Sequence, residues 1–140
     1  MRVYIDMAAD LFHAGHIKAL RKAKAFGDYL IVGVHSDETI QSYKRAPIIR
    51  EEHRYELVRH IDLVDELIED APIKITREFL RKHAIDLVAA GDDHSAIQNQ
   101  LMYSIPMEMG IMRFFSYTKG ISTTGIIQKI TNNFRLVDTL

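Results

Sequence analysis

Apolar residues recur along this chain in two alternating patterns. Short runs rich in Val, Ile and Leu are typical of strands covered on both faces, and longer stretches with a helical period are typical of amphipathic helices. The runs predict strands at residues 3–6, 29–35, 63–68, 86–90 and 111–116. The periodic stretches predict helices at residues 15–26, 51–61, 76–83 and 97–109, and one that starts near residue 122. Strands and helices that alternate in this way form parallel sheets with right-handed crossovers.

The order of these elements predicts an α/β fold. We expect a Rossmann-like, doubly wound sheet of five parallel strands, in a single domain that spans residues 1–140. Gly27 is expected to cap the first helix, and Pro106 is expected to kink or end the fourth. The last helix is expected to bury Ile127, Ile130 and Phe134.

Composition narrows the class of protein. Of the 140 residues, 47% are hydrophobic and 26% are charged, which is typical of a globular domain with a buried core. A net charge of −1 gives no indication of the basic surface that nucleic-acid binding usually needs, so no nucleic-acid partner is expected. The chain has no cysteine, which excludes disulfides and thiolate metal sites. No apolar run approaches a membrane span and the start lacks a signal-peptide pattern, so we expect a cytoplasmic protein with no membrane partner.

Residues able to carry chemistry follow four of the predicted strands. They lie within residues 6–16, 35–44, 91–94 and 117–124. Ligands of open α/β sheets bind beyond the carboxyl ends of the strands, so these segments are expected to converge on one site.

The first of these segments contains two histidines at the start of a helix. His13 and His16 flank Gly15, which has no Cβ to keep an anion away from the backbone. A helix N-terminus and imidazole donors both suit phosphate oxygens. The same pair could instead be ordinary capping residues, or half of a metal site completed by His94 or Asp10.

Two further groups offer hydroxyls and cations. Ser122 is expected to cap the last helix, where free N–H groups and hydroxyls can also bind phosphates. Lys44 and Arg54 follow the second strand, and each alone is typical of a solvated surface charge.

Four ordered motifs resemble a known family. The run Asp-Leu-Phe-His-Ala-Gly-His at residues 10–16 resembles the signature of the nucleotidylyltransferase superfamily. Residues 29–38, residues 52–55 with 64–66, and residues 120–124 resemble its cytidylyltransferase branch, which acts on phosphocholine, phosphoethanolamine or glycerol 3-phosphate. Residues 71–86 look most like the phosphocholine and phosphoethanolamine enzymes. The resemblance extends over nearly the whole chain.

This resemblance implies a cytidylyltransferase-like catalytic domain over residues 1–140. Such a domain transfers CMP from CTP to a small phosphomonoester and releases pyrophosphate. The resemblance also implies Mg²⁺ bound with the CTP phosphates, where Asp10, acting through water, is the one side chain considered as a ligand. A homodimer is implied as well, with its contact at residues 51–61 and 64–66.

The same resemblance implies roles for individual residues. The implied catalytic residues are His13, His16, Lys44 and Arg54. The implied nucleotide contacts are Met7, Ala8, Ala9, Asp10, His13, Gly15, His16, Gly91, Asp92, Asp93, Gly120, Ile121, Ser122, Thr123 and Thr124. The implied acceptor contacts are His35, Asp37, Lys44 and Asp92.

The chain departs from the family pattern in two places. Met7-Ala8-Ala9 stands where the family has Gly-x-Phe, and Tyr117 stands where its cytidylyl members have a phosphate-binding arginine. The nearby Lys119 cannot reproduce the two-pronged arginine contact. Two alternatives therefore stay open. One is a sugar-phosphate adenylyltransferase that uses ATP, and the other is a nucleotide-binding module with weakened catalysis.

Overall fold

Five parallel strands form the centre of the computed structural model, which describes residues 1–134. The strands are β1 (Arg2–Met7), β2 (Tyr29–Val34), β3 (Glu66–Glu69), β4 (Leu87–Gly91) and β5 (Met112–Phe115). Their order across the sheet is β3-β2-β1-β4-β5, and every neighbouring pair is parallel. The chain builds outward from β1 on one side and then on the other, so the strand order reverses between β1 and β4. The predicted doubly wound α/β sheet is confirmed.

Helices cover both faces of this sheet. They are α1 (Ala14–Lys24), α2 (Asp37–Gln41), α3 (Glu51–Arg59), α4 (Arg77–Lys82), α5 (Ala96–Glu108) and α6 (Thr123–Phe134). Successive side chains of β1 point to opposite faces and so enter different cores: Val3 and Ile5 pack with Leu20, whereas Tyr4 packs with Leu80. Within residues 1–134, no helix is long and apolar enough to cross a membrane.

The end of α1 differs from the expectation. Ala25, which has ordinary right-handed backbone angles, caps the helix, so the prediction that Gly27 is the cap is wrong. A Cβ on Gly27 would collide with the carbonyl oxygen of Met1. Gly27 is therefore suited to this position by the close approach of the first residue, not by a left-handed cap.

Helix α5 continues through Pro106, which was expected to kink or end it. Proline has no N–H to donate to the carbonyl four residues earlier, which belongs to Met102. The backbone N–H of Ile75 donates to that oxygen instead, at 3.1 Å. A neighbouring segment thus supplies the hydrogen bond that the helix cannot make for itself.

The apolar face of α6 is not buried within the described chain. Ile130 is 52% exposed and Phe134 is 59% exposed, so the expectation that the helix buries them is wrong, and Ile127 is only partly covered. The helix is joined to the rest of the fold near its start, where the Thr123 hydroxyl donates to the Asp10 carbonyl at 2.6 Å.

Candidate active site

A cavity of about 520 Å³ opens beyond the carboxyl ends of β1, β2, β4 and β5. The start of α1, the loop after α2, the side of α5 and the start of α6 complete its wall. This is the edge of the sheet to which the polar segments of the sequence were expected to converge, next to the reversal of strand order.

His13 and His16 line the cavity and cap α1 with their own side chains. The His13 Nδ1 accepts from the Gly15 N–H at 3.0 Å, and the His16 Nδ1 accepts from the His13 N–H at 3.1 Å. The two rings are 4.1 Å apart between centroids, and Phe12 stacks on His16. An imidazole that accepts at Nδ1 carries its hydrogen on Nε2, so each ring keeps one N–H donor for a ligand.

Burial keeps these two rings neutral. It lowers the pKa of His16 to about 4, and the electrostatic influence of His13 and Lys44 acts in the same direction. Burial also lowers the pKa of His13. At neutral pH the histidines therefore act on an anion as hydrogen-bond donors, beside the positive end of α1.

Gly15 also makes room for the side chain of His13. A Cβ at this position would lie 2.7 Å from the His13 Cε1 and 2.9 Å from its Nδ1. The glycine leaves room for the His13 ring to fold back onto the helix start, and so it permits the orientation that frees Nε2.

Asp10 holds the loop that carries Lys44. Its two carboxylate oxygens accept from the N–H groups of Ile48 and Ile49, at 2.8 and 2.9 Å. The side chain is therefore committed to the protein backbone, which argues against Asp10 as a ligand of Mg²⁺. The described residues contain no group of three histidines, aspartates or glutamates placed to hold a metal. The structure therefore does not support the alternative in which His13 and His16 are half of a metal site.

Arg54 lies behind the cavity wall, and its predicted contact with phosphates stays a prediction. Its side chain is almost fully buried, is absent from the cavity wall, and donates to the carbonyls of Ile49, Ala8 and His35 at 2.6 to 2.8 Å. It also pairs with Asp37 at 2.7 Å. Arg54 is thus a positioning residue, because it ties the loop before α1 to the end of β2 and to the loop that carries Lys44.

Lys44 does reach the cavity wall, as expected. Burial of its ammonium, together with the nearby charge of Arg45, lowers the pKa of Lys44. A cation here faces the same cavity as the two histidine donors, which is the arrangement that a polyphosphate requires.

The remaining predicted contacts divide into two sets. Those that line the cavity are Met7, Ala8, Ala9, Asp10, Gly91, Asp93, Ile121, Ser122, Thr123 and Thr124, together with the acceptor candidate His35. Those that do not are Asp37, Asp92 and Gly120. Asp37 pairs with Arg54, and the Asp92 carboxylate accepts from the Tyr117 N–H at 2.9 Å, so both side chains already have protein partners. Gly120 has a φ of +97°, which favours glycine at the turn into α6.

The loop before α1 has a strained backbone. Ala9 and Leu11 both have positive φ, at 58° and 48°. This conformation is unfavourable for residues with a Cβ, and it persists here because Ala9 is buried and Asp10 is anchored.

Three residues at the base of the cavity were not singled out by the sequence, although two of them fall in segments expected to carry chemistry. Asp6 accepts from the Tyr103 hydroxyl at 2.9 Å, and the Tyr43 hydroxyl lies 2.8 Å from the His35 Nδ1. The Asp6 Oδ2 lies 3.4 Å from the His35 Nε2. A carboxylate near the end of a buried strand was the available signal for Asp6, whereas nothing local marks either tyrosine.

Comparison with known proteins identifies the family. The cytidylyltransferase-like family profile matches residues 8–129, which is most of the chain. This chain belongs to the cytidylyltransferase-like family. The predicted resemblance is confirmed, and the matched range includes both histidines and the start of α6.

The relatives of this cytidylyltransferase-like chain include proteins named as cytidylyltransferases. It is 41% identical over 137 residues to choline-phosphate cytidylyltransferase A of Homo sapiens, covering 96% of this chain and 37% of that protein. It is 40% identical over 130 residues to the probable ethanolamine-phosphate cytidylyltransferase of Encephalitozoon cuniculi, covering 92% of this chain and 40% of that protein. The chain therefore spans about two fifths of the length of these relatives.

Solved structures share the fold. A lipopolysaccharide core biosynthesis protein from Thermoplasma volcanium superposes with a TM-score of 0.69 at 26% identity, over 86% of this chain and 98% of that one. Pantoate-beta-alanine ligase from Francisella tularensis superposes with a TM-score of 0.53 at 15% identity, over 96% and 71%, and shows the fold alone.

Proposed function

We propose that this chain transfers CMP from CTP to a small phosphomonoester, and that phosphocholine or phosphoethanolamine is the best candidate acceptor. Glycerol 3-phosphate is a further candidate. A phosphate oxygen of the acceptor forms a bond to the α-phosphorus of CTP, and the bond to pyrophosphate breaks. The observation that carries the proposal is the pair of histidines that line the cavity at the start of α1, each with its Nδ1 bonded to a backbone N–H, so that the Nε2–H is the donor available to a ligand.

Each group in the cavity has its own role in the proposed reaction. His13 and His16 donate to the α-phosphate oxygens, where negative charge accumulates in the transition state. Lys44 neutralises the reacting phosphates, and the start of α6 at Ser122 and Thr124 holds the leaving pyrophosphate. Because the acceptor phosphate is itself the nucleophile, no covalent enzyme intermediate is required.

We propose that Mg²⁺ is bound mainly by the nucleotide. Mg²⁺ commonly keeps several waters and is held by substrate phosphates, with few protein ligands. The engagement of the Asp10 carboxylate with Ile48 and Ile49 supports this arrangement. The ion would supply positive charge at the phosphates.

The proposal includes a cytoplasmic homodimer. Leu57 of α3 is 45% exposed, and β3, the neighbouring strand, lies at an edge of the sheet. An exposed apolar residue beside an open edge favours the predicted contact at residues 51–61 and 64–66. The cytoplasm is where a CTP-dependent reaction of this kind would find its substrate.

A pyrophosphate-release panel tests the reaction. CTP and ATP are each combined with phosphocholine, phosphoethanolamine, glycerol 3-phosphate and a sugar 1-phosphate in the presence of Mg²⁺. We expect release with CTP and at least one of the first three acceptors. Release with ATP alone would support the adenylyltransferase alternative that Tyr117 keeps open. CTP binding with no release from any acceptor would support the weakened binding module.

A further inference from the structure

A third histidine lines the cavity, and its hydrogen bonding is opposite to that of His13 and His16. The His94 Nδ1 lies 3.2 Å from the Gly91 carbonyl oxygen and 3.8 Å from an Asp93 carboxylate oxygen. Such oxygens only accept, so the ring donates from Nδ1 and, when neutral, carries a lone pair on Nε2. His94 is therefore an acceptor at Nε2, whereas His13 and His16 are donors there.

The His94 ring is held in place but remains partly open. The ring of Tyr103 packs against it edge to face, at 5.8 Å between centroids. The Tyr103 hydroxyl in turn donates to the Asp6 carboxylate at 2.9 Å, which fixes the tyrosine. The His94 side chain is 27% exposed and lies in the cavity wall, so a ligand can reach it.

This part of the wall does not suit a phosphate. Residues 87–112, which contain β4 and α5, include no lysine or arginine. The start of α5 is closed by its own capping box, in which the Ser95 hydroxyl accepts from the Gln98 N–H and the Gln98 side chain accepts from the Ser95 N–H. A lone pair beside the Asp93 carboxylate repels an anion. These groups suit a part of a ligand that donates hydrogens.

The order of the strands indicates which part of the substrates this is. His35 and Lys44, the predicted contacts of the phosphomonoester that line the cavity, follow β2, whereas His94 follows β4. β1 lies between these strands, so their ends are about 10 Å apart. In the proposed reaction the starts of α1 and α6 hold the phosphates. The nucleoside of CTP remains for the β4 side, and its hydroxyls and amino group carry hydrogens.

We propose that the His94 Nε2 accepts a hydrogen bond from the nucleoside of CTP, given by the cytosine amino group or by a ribose hydroxyl. This inference rests on the proposed function and adds a residue that recognises its nucleotide. Uracil has a carbonyl oxygen in place of the amino group and would place two acceptors against each other. A deoxyribose would leave Nε2 without the hydrogen of the missing hydroxyl.

Calorimetric titration of His94→Phe tests this binding without catalysis. Phenylalanine keeps a flat ring against Tyr103 but has no nitrogen. With Mg²⁺ and no phosphomonoester present, we expect the Kd for CTP to rise by about 3- to 10-fold, which is the effect of one hydrogen bond. His94→Gln keeps an oxygen that can accept and should lose less affinity. Thermal melting checks that each variant is folded.

Nucleotide analogues identify the donor group. The same titrations are made with UTP, 2′-deoxy-CTP and 3′-deoxy-CTP. The loss caused by His94→Phe is expected to disappear for the analogue that lacks the hydrogen bound by Nε2. Disappearance with UTP assigns the amino group, and disappearance with a deoxy analogue assigns that hydroxyl. An equal loss for CTP and all three analogues would overturn the proposal, because the ring would then act by packing alone.

His60→Phe is the matched control. The His60 ring also donates from Nδ1 to a backbone carbonyl, that of Glu56 at 2.8 Å, but it lies at the end of α3 and outside the cavity wall. The Kd for CTP should be unchanged in this variant.

The outcomes distinguish this inference from the proposed function. Unchanged CTP affinity in His94→Phe refutes the inference, even when the pyrophosphate-release panel supports cytidylyl transfer. CTP binding that depends on His94, without release from any phosphomonoester, supports the inference and overturns the proposed reaction. Absence of CTP binding to the wild-type chain overturns both.

Discussion

At the scale of single residues, the orientation of the two histidines depends on hydrogen bonds made by their Nδ1 atoms. Each Nδ1 accepts a backbone N–H of the helix start, and this fixes the hydrogen on Nε2. The same bonds cap α1, so capping and ligand binding are not alternatives here. One side chain performs both, because imidazole has two nitrogens that point in different directions.

Replacing His16 by glutamine should separate these two roles. Glutamine at this third helical position can accept the His13 N–H through its amide oxygen, as in an ordinary capping box, but it lacks the Nε2–H in the cavity. We expect the free energy of unfolding of His16→Gln to lie within about 1 kcal/mol of that of the wild type, and its kcat to fall by at least ~100-fold. Denaturant melts and pyrophosphate release measure the two effects.

His16→Ala is the comparison variant. It removes the capping bond as well, so it should lose a similar factor in kcat and be less stable than His16→Gln. Near-normal turnover in either variant would remove His16 from the proposed catalytic residues.

At the scale of elements, the position of α6 depends strongly on one hydrogen bond. The Thr123 hydroxyl donates to the carbonyl of Asp10, the residue that also holds the Lys44 loop. Asp10 therefore links three parts of the cavity wall: the start of α1, the loop of residues 42–50 and the start of α6. The apolar face of α6 is largely exposed and adds little to this attachment.

Thr123→Val should release the start of α6. Valine has nearly the same shape as threonine but cannot donate to the Asp10 carbonyl, so Ser122 and Thr124 should lose their fixed position. We expect the KM for CTP to rise by about 5-fold or more, with a small change in thermal stability, measured by steady-state kinetics and melting. Thr123→Ser keeps the hydroxyl and should restore the wild-type KM.

Thr131→Val provides the matched control on the same helix. Its hydroxyl donates to the Ile127 carbonyl within α6 and is remote from Asp10, so this variant should leave the KM unchanged. Equal KM values for Thr123→Val and the wild type would show that the bond does not position the site.

At the scale of the whole molecule, exposed apolar side chains lie on several elements of the fold. One region includes Leu57 of α3 near the β3 edge, a second includes Ile130 and Phe134 of α6, and further exposed apolar side chains lie on α5. The proposed homodimer uses the first region.

Leu57→Lys should convert that dimer to a monomer. A lysine at the centre of the contact would place a charge in an apolar interface, which is costly unless the charge is paired. Light scattering after size exclusion measures the mass, and Ile97→Lys, a change at an 82% exposed residue of α5, is the control that should stay dimeric. Dissociation by Ile130→Lys instead would move the interface to α6.

Sequence patterns predicted the sheet and most of its helices, because strand and helix periods are local properties of the chain. They failed where a distant partner decides the outcome. Pro106 stays inside α5 because Ile75 supplies the missing hydrogen bond. The strand expected at residues 63–68 begins instead at Glu66, because the Asp65 carboxylate accepts the Leu30 N–H beside it.

The sequence by itself determined the family, the paired histidines and the edge of the sheet where the predicted binding segments meet. Motif spacing and the order of strands and helices can both be read along the linear chain. Only the tertiary structure decided which charges face the cavity. In the folded chain Arg54 is buried among backbone carbonyls and Asp6 lies beside His35. The Asp10 carboxylate accepts backbone N–H groups, and the Asp37 carboxylate pairs with Arg54. The direction and partners of a side chain depend on residues far away in sequence, and so does the chemistry left available to a ligand.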